Sequence, residues 1–305
     1  MEIIRDYSVK AGISASGLVG QMSSAGFQAS EIGEAARLMR KMKEEKATIF
    51  LSFTANMAAS GLRGIFARMA REKMVDAIIT TGGSIDHDVI RTEMGYPKGY
   101  FQMDDEQLHR KGINRLGNIL VPNDRYVFFE KKMQALFSEL YGRKKVWTPS
   151  ELCLEIGKSL KDEGSFLYWA ARNGIPVFCP GITDSALGLQ VYFFRQENKE
   201  FIIDVAGDMR LADIVINSKK TGGIILGGGI AKHHTIGVNI LKEGLDYAIY
   251  VSTSSPWDGS LSGAVPSEAK SWGKIREKGN SVVVYGDATV IFPLIMVAAE
   301  ENGDV

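Results

Sequence analysis

Lys274 stands in the segment GSLSGAVPSEAKSWGKIR, residues 259–276, with Glu268 and Trp272 close by. A neutral lysine amine forms an imine with a carbonyl-like carbon where burial and neighbouring groups lower its pKa. An unbroken helix would turn Trp272 and Lys274 to nearly opposite faces, so their convergence requires a break, which Gly273 permits. Residue types alone favour a plainer reading, in which Lys274 is a solvated cation beside glycine and Trp272 packs in a core. The doublet His233–His234 follows GGGIAK at the expected start of a helix. Its two imidazoles point different ways, so at most one faces a crevice, as an acid, a base or a hydrogen-bond partner; the alternative is capping and packing.

A second group of residues lies where apolar runs stop. SFTAN, TTGGS, PGITDS, LGGG, STSSPWDGS and YGDA each close a strand-like run with small or polar residues. In open α/β sheets such carboxyl ends face the ligand crevice, and glycines there let the backbone approach a pyrophosphate. None matches G-x-G-x-x-G, so each is a weak signal alone; together they suggest a nucleotide.

These ends need a frame. Ile32, Ala36, Met39 and Met42 are spaced as one helical face over residues 30–46, with Ser30 as a plausible N-cap. ATIFLSF, a helical stretch from Ala58 to Lys73 and VDAIITTGG then read as strand, helix, strand. The alternation resumes through IPVFCPG, ALGLQVYFFRQ, FIIDVA, LADIVINSK, GGIILGGG, KHHTIGVNILKEG, DYAIYVST and SVVVYGD. This order predicts an α/β, Rossmann-like fold with a mostly parallel sheet flanked by helices. Residues 94–149 read as an insertion over one edge. No linker divides the chain, so a single domain over 1–305 is expected.

Lys plus Arg equals Asp plus Glu at 36 each, so no net field calls for nucleic acid or an anionic membrane. Cys153 and Cys179 lack metal-type spacing, and histidine occurs only at 87, 109, 233 and 234, so no metal is expected. The opening MEIIRDYSVK has no apolar signal core, and ATVIFPLIMVAA is too short to span a bilayer and contains Pro293. A soluble, cytoplasmic protein is the expectation.

At SWGKIR the pattern becomes specific: GSxSGAxPxEAxSWGKIR resembles the lysine-bearing segment of the deoxyhypusine synthase family. GFQAS, GINRLGNILVPN, VWTPSEL, IPVFCPGITDSALG, ILGGGIAKHH and VYGDATVIFPL resemble further segments of that family in order, from about Tyr7 to Pro293. The resemblance implies the deoxyhypusine synthase fold in a homotetramer that binds NAD. It also implies a reaction that carries the 4-aminobutyl group of spermidine, through an imine on the lysine, to the hypusine-bearing translation initiation factor. On that resemblance Lys274 and His233 are catalytic, and Asp86, His87, Asp258, Gly259, Glu268 and Trp272 bind the polyamine. Asn56, Thr81, Gly82, Gly83, Asp184, Gly229, Thr253, Ser254, Asp287 and Ala288 match NAD contacts, whereas Ala55 and Ala59 stand where eukaryotic members have serine.

The departures fall on amine-recognising acids. Leu189 and Leu261 stand where eukaryotic members have aspartate, and the acidic pair of that motif reads Asp86 and His87. A hydrogen bond to a charged group is worth about 1.5–3 kcal/mol, so losing two weakens spermidine binding by roughly two to four orders of magnitude unless Asp86, Asp88 or Asp258 compensates. Two further readings therefore stand beside the first. One is a related aminobutyltransferase with another amine donor or a small-molecule acceptor, as in homospermidine formation. The other is a non-catalytic paralogue, against which the intact lysine segment argues.

Overall fold

The computed structural model describes residues 3–300; the ends of the expected 1–305 domain, and Met1 and Glu2 of the opening segment, lie outside them. The chain forms two compact units, one from residues 1–53, 74–79 and 210–305, the other from 54–73 and 80–209.

The first unit is built on a sheet in which the strands run in the order Ile275–Tyr285, Leu245–Ser252, Thr221–Leu226, Thr48–Phe53, Ala77–Thr80. Ile275–Tyr285 pairs parallel with Leu245–Ser252, that strand with Thr221–Leu226, and Thr221–Leu226 with Thr48–Phe53 in the register Thr48 to Thr221. Five of the six residues in Thr48–Phe53 and all six in Thr221–Leu226 are buried, which is why both read as near-continuous apolar runs rather than alternating ones. Asp76 and Asp246 tie the strand starts by accepting the backbone N–H of Ile49 and of Thr221. Helices Phe27–Glu44, Gly229–Val238 and Ala288–Glu300 pack against the strands. Phe27–Glu44 starts three residues before the expected Ser30, whose hydroxyl instead accepts the N–H of Gly26, the residue ahead of the helix. Ile32, Ala36, Met39 and Met42 do form its buried stripe.

The second unit is mainly helical. The stretch read as helical from Ala58 to Lys73 is covered by two helices, Ala55–Ala59 and Leu62–Arg71. Ser60 causes the break, donating its hydroxyl to Met57 and accepting the N–H of Leu62. Residues 94–149 are more ordered than their polar composition indicated: they hold helix Asp105–Arg110, the hairpin Ile113–Leu116 with Ile119–Pro122, and helix Asn123–Arg143. FIIDVA supplies only Ile202–Ile203, which pairs parallel with Val146–Trp147 in a two-stranded sheet of its own. Among the described residues no helix is long and apolar enough to cross a membrane.

Candidate active site

In the first unit, parallel strands deliver their carboxyl ends to one edge of the sheet, and the chemistry-bearing residues follow from those ends. Gly229 follows Thr221–Leu226, Thr253 and Ser254 follow Leu245–Ser252, and Asp287 and Ala288 follow Ile275–Tyr285. Helix Gly229–Val238 opens on Gly228 with no side-chain cap, and Gly229 at φ +64° has open space where a Cβ would sit. The Gly229 N–H goes to the Ser262 hydroxyl, but the turn carries no capping side chain of its own, and such a turn beside an unobstructed backbone suits a pyrophosphate. Asp287 spends one oxygen on the N–H of Thr289, at 2.8 Å.

Helix Pro266–Ser271 carries Glu268 in its first turn and ends in a Schellman motif. Gly273 adopts φ +68°, its N–H donates to the carbonyl of Lys270, and the N–H of Lys274 donates back to Ala269. This break swings Lys274 round to Trp272, and its Nζ stands 5.1 Å from the indole centroid. Trp272 is 65 % exposed, so it is not core packing in the single chain. His233, one turn into its own helix, has its pKa pushed down, by partial burial first and by the charge of Lys274 second. A proton-accepting imidazole thus shares the field of the lysine. Asp258 is exposed, and the N–H of Ser260 holds its carboxyl below the usual range. It precedes Gly259, which turns at φ +72°.

The loop ahead of this helix is tightly seated. Gly229 donates its N–H to the Ser262 hydroxyl, and a Cβ on Gly228 would lie 2.6 Å from the Cα of Ser262. A Cβ on Gly263 would lie 1.8 Å from the carbonyl oxygen of Ser255, a contact neither main chain can relieve alone. Gly263→Ala should therefore destabilise the fold by about 1–3 kcal/mol, as read by denaturant unfolding; a change below a few tenths would show that the loop yields.

In the second unit the candidates gather around helix Gly82–Arg91, which follows strand Ala77–Thr80 and has no side-chain cap at Thr81. A Cβ on Gly82 would lie 2.3 Å from the Ser185 hydroxyl, and one on Gly83 would lie 2.9 Å from the Ala55 Cβ, so both glycines serve close approach. Asn56 and Asp184 are exposed, and Asn56 accepts the hydroxyl of Thr54 at 2.6 Å. Arg91, which sequence reasoning passed over, donates to the carbonyls of Ala58, Ala59 and Ser60 and so caps the helix that holds Asn56.

Three groups expected near the amine are buried and hydrogen-bonded within the second unit. Asp86 is 4 % exposed, and its two oxygens accept the N–H groups of Ala186 and Leu187 at 2.8 and 2.9 Å, capping helix Ala186–Glu197. Burial raises its pKa to about 7 against those two bonds. His87 is 8 % exposed, shares a 2.9 Å hydrogen bond with the Tyr96 hydroxyl, and has its pKa lowered to about 4 by burial and by Arg91. Asp88 is fully buried against Arg63, Ser165 and Leu167. Of the three acids named as possible substitutes, Asp258 alone is exposed. Leu189 is 50 % exposed, and Leu261 is half-buried.

The ionisations of the two neighbours run in opposite directions. Unfolded, His87 takes a proton near pH 6.5; folded, it does so only near pH 4. Its stabilising contribution is complete above about 6.5 and drains away as pH falls. Asp86, raised to about 7, contributes most below the unfolded carboxyl's value of about 3.9 and loses that as pH rises through 7. His87→Gln should lose about 2 kcal/mol less than the parent between pH 6.5 and 5. Parallel pH profiles of thermal unfolding for the two proteins would refute that.

Comparison with known proteins shows the family of the chain. A profile of deoxyhypusine synthase matches residues 17–299. The chain is similar to a protein named probable deoxyhypusine synthase from Methanocaldococcus jannaschii, 47 % identical over 89 % of this chain and 88 % of that one. It is also similar to the deoxyhypusine synthase of Senecio vernalis, 42 % identical over 96 % and 87 %. A crystal structure of a candidate deoxyhypusine synthase from Entamoeba histolytica superposes with a TM-score of 0.72, 27 % identical over 97 % of this chain and 96 % of that one. With a lysine turned onto an indole at a glycine stop, glycine-bearing strand ends, and a match that runs almost end to end, this chain belongs to the deoxyhypusine synthase family.

Proposed function

We propose that the chain is an NAD-dependent aminobutyltransferase that takes the four-carbon amine of spermidine onto Lys274 and passes it to a lysine of the hypusine-bearing translation initiation factor. The observation that carries this reading is the turn at Gly273, which brings the Lys274 amine to the Trp272 ring beside a proton-accepting His233. NAD, when bound, would supply reversible hydride chemistry at the carbon next to the secondary nitrogen of spermidine. The uncapped first turn at Gly229 and its exposed backbone suit its pyrophosphate, and Gly82 is carried over by the family resemblance. Its remaining contacts, by the family resemblance, are Asn56, Thr81, Gly83, Asp184, Thr253, Ser254, Asp287 and Ala288.

His233 takes the proton lost as the C=N bond forms. The Lys274 amine then attacks the C=N carbon, and the three-carbon diamine leaves with its nitrogen as an amine. The four-carbon unit is now held to Lys274 Nζ by an imine. The acceptor lysine displaces Lys274 at the same carbon, leaving a C=N bond to the acceptor; a hydride from the bound cofactor and one proton would reduce it, so the cycle would be redox-neutral. Glu268 holds the terminal ammonium, and Trp272 covers the methylenes and excludes water that would hydrolyse the imine. Exposed Trp257, Trp272 and Val290, at 91, 65 and 64 %, support carrying over the homotetramer, in which such surfaces are covered. A cytoplasmic location accords with a substrate bound to the translation machinery.

A second reading, with another amine or a small-molecule acceptor, is favoured by the half-exposed Leu189 and by the engagement of Asp86 and His87 away from solvent. One experiment addresses both: incubate the protein with NAD and each of a panel of di- and polyamines, reduce with borohydride, and weigh the intact chain. One aminobutyl group per chain from spermidine supports the first reading, a stronger adduct from another amine the second. No adduct from any amine, with NAD shown to be bound, overturns both.

A further inference from the structure

Lys232 is a lysine that the reaction does not use, yet it is 2 % exposed. Its Nζ donates to the carbonyl of Ala264 at 2.7 Å and to that of Ser262 at 3.3 Å, and lies 4.5 Å from the ring centroid of Tyr250, which is equally buried. Burying an ammonium is costly, and it is tolerated only where donors meet acceptors. Here both acceptors are main-chain carbonyls of the loop that leads into helix Pro266–Ser271, and the same loop takes the Gly229 N–H through the Ser262 hydroxyl. Downstream of Ala264 the chain is committed: one short helix, the stop at Gly273, then Lys274, whose own carbonyl accepts the Leu245 N–H.

We infer that Lys232 is a positioning residue, whose ammonium pins the carbonyls of Ser262 and Ala264 and thereby sets where Lys274 stands relative to His233 on the adjoining position of the same helix. It touches no reacting atom and acts through the main chain. The functional half of this inference rests on the reading of Lys274 as the covalent carrier; the mechanical half does not. Glu268 faces the ammonium from the following helix and favours its charge, Tyr250 faces it from the strand as a phenol kept neutral by burial, and His233 and His234 follow it in sequence. Burial lowers the Lys232 pKa to about 8, so the clamp loses its charge within an accessible pH range.

Hydrogen exchange on the full chain tests this, with Lys232→Met as a side chain of similar length and no charge. At pH 7 the amides of residues 262–274 should exchange at least roughly tenfold faster in the variant, with those of helix Phe27–Glu44 unchanged. In the parent protein the same amides should lose protection between pH 7 and 9, beyond the intrinsic rise in exchange rate, and this measurement needs no variant to fold. The rate of the borohydride-trapped adduct on Lys274 should fall roughly thirtyfold in the variant with NAD affinity unchanged. Unchanged exchange in the variant, or no pH-dependent loosening in the parent, overturns the clamp. Faster exchange with an unchanged adduct rate overturns the positioning role. If the parent itself forms no adduct, the reading of Lys274 fails and the exchange data still decide the clamp.

Discussion

Lys274→Arg should bind NAD as the parent does, gain no mass on borohydride reduction, and lose at least roughly a thousandfold in transfer rate. A guanidinium stays charged throughout the working range and has no lone pair for an imine carbon. It nonetheless retains a cation for the Trp272 face, over which Lys274 Nζ stands at 5.1 Å. The substitution thus separates two roles for the same position. Were Lys274 only a charge packed on the indole, arginine would replace it with little loss, and that outcome would end its assignment as the carrier. Intact mass spectrometry and a transfer assay on the same preparation read both quantities.

Asp88→Ala should destabilise the protein by about 3–5 kcal/mol. Asp88 is fully buried, and its carboxylate accepts from Arg63 at 2.6 Å, the Ser165 hydroxyl at 2.6 Å and the Leu167 N–H at 3.1 Å. Arg63 is itself 6 % exposed and reaches Asp162 with its other arm at 2.7 Å. Truncating Asp88 leaves a buried guanidinium half-neutralised and two donors without an acceptor, whereas exposed pairs such as Arg110–Glu106 are worth little. Removing both charges with Asp88→Leu and Arg63→Met together should cost less than the two single losses added, because the stranded charge goes too. Urea unfolding of the four proteins at one protein concentration gives the cycle. A single-variant loss under about 1 kcal/mol would mean that solvent reaches the pair.

Much of the first unit was legible in the sequence because its strands are buried and parallel. TIFLSF and TGGIIL can hardly be anything else between helical patterns, and the small residues after them mark the strand ends. The stop at Gly273 was legible for a geometric reason: Trp272 and Lys274 cannot meet on a continuous helix. Helix Gly82–Arg91 was not. GGSIDHDVIR carries two acids and a histidine, read from the family resemblance as groups for the amine, but Asp86, His87 and Asp88 are all buried because their partners arrive from residues such as Ala186, Tyr96 and Ser165. Sequence spacing cannot reveal a cap supplied from so far along the chain. Lys232 was missed for a related reason. Its place on the buried stripe with Ala231, Thr235 and Ile236 is readable, but the carbonyls that make burial tolerable belong to a later loop.

The register that pairs Thr48 with Thr221 has a consequence for synthesis. Strand Thr48–Phe53 leaves the ribosome long before Thr221–Leu226 exists to cover one of its edges, and the whole second unit is made in between. Until then five buried-type residues and a row of unpaired amides stay open to other chains. Asp86 waits likewise for Ala186 and Leu187. A stalled or truncated chain ending before Thr221 therefore displays an unsatisfied strand edge, which marks it for aggregation or for capture by a chaperone.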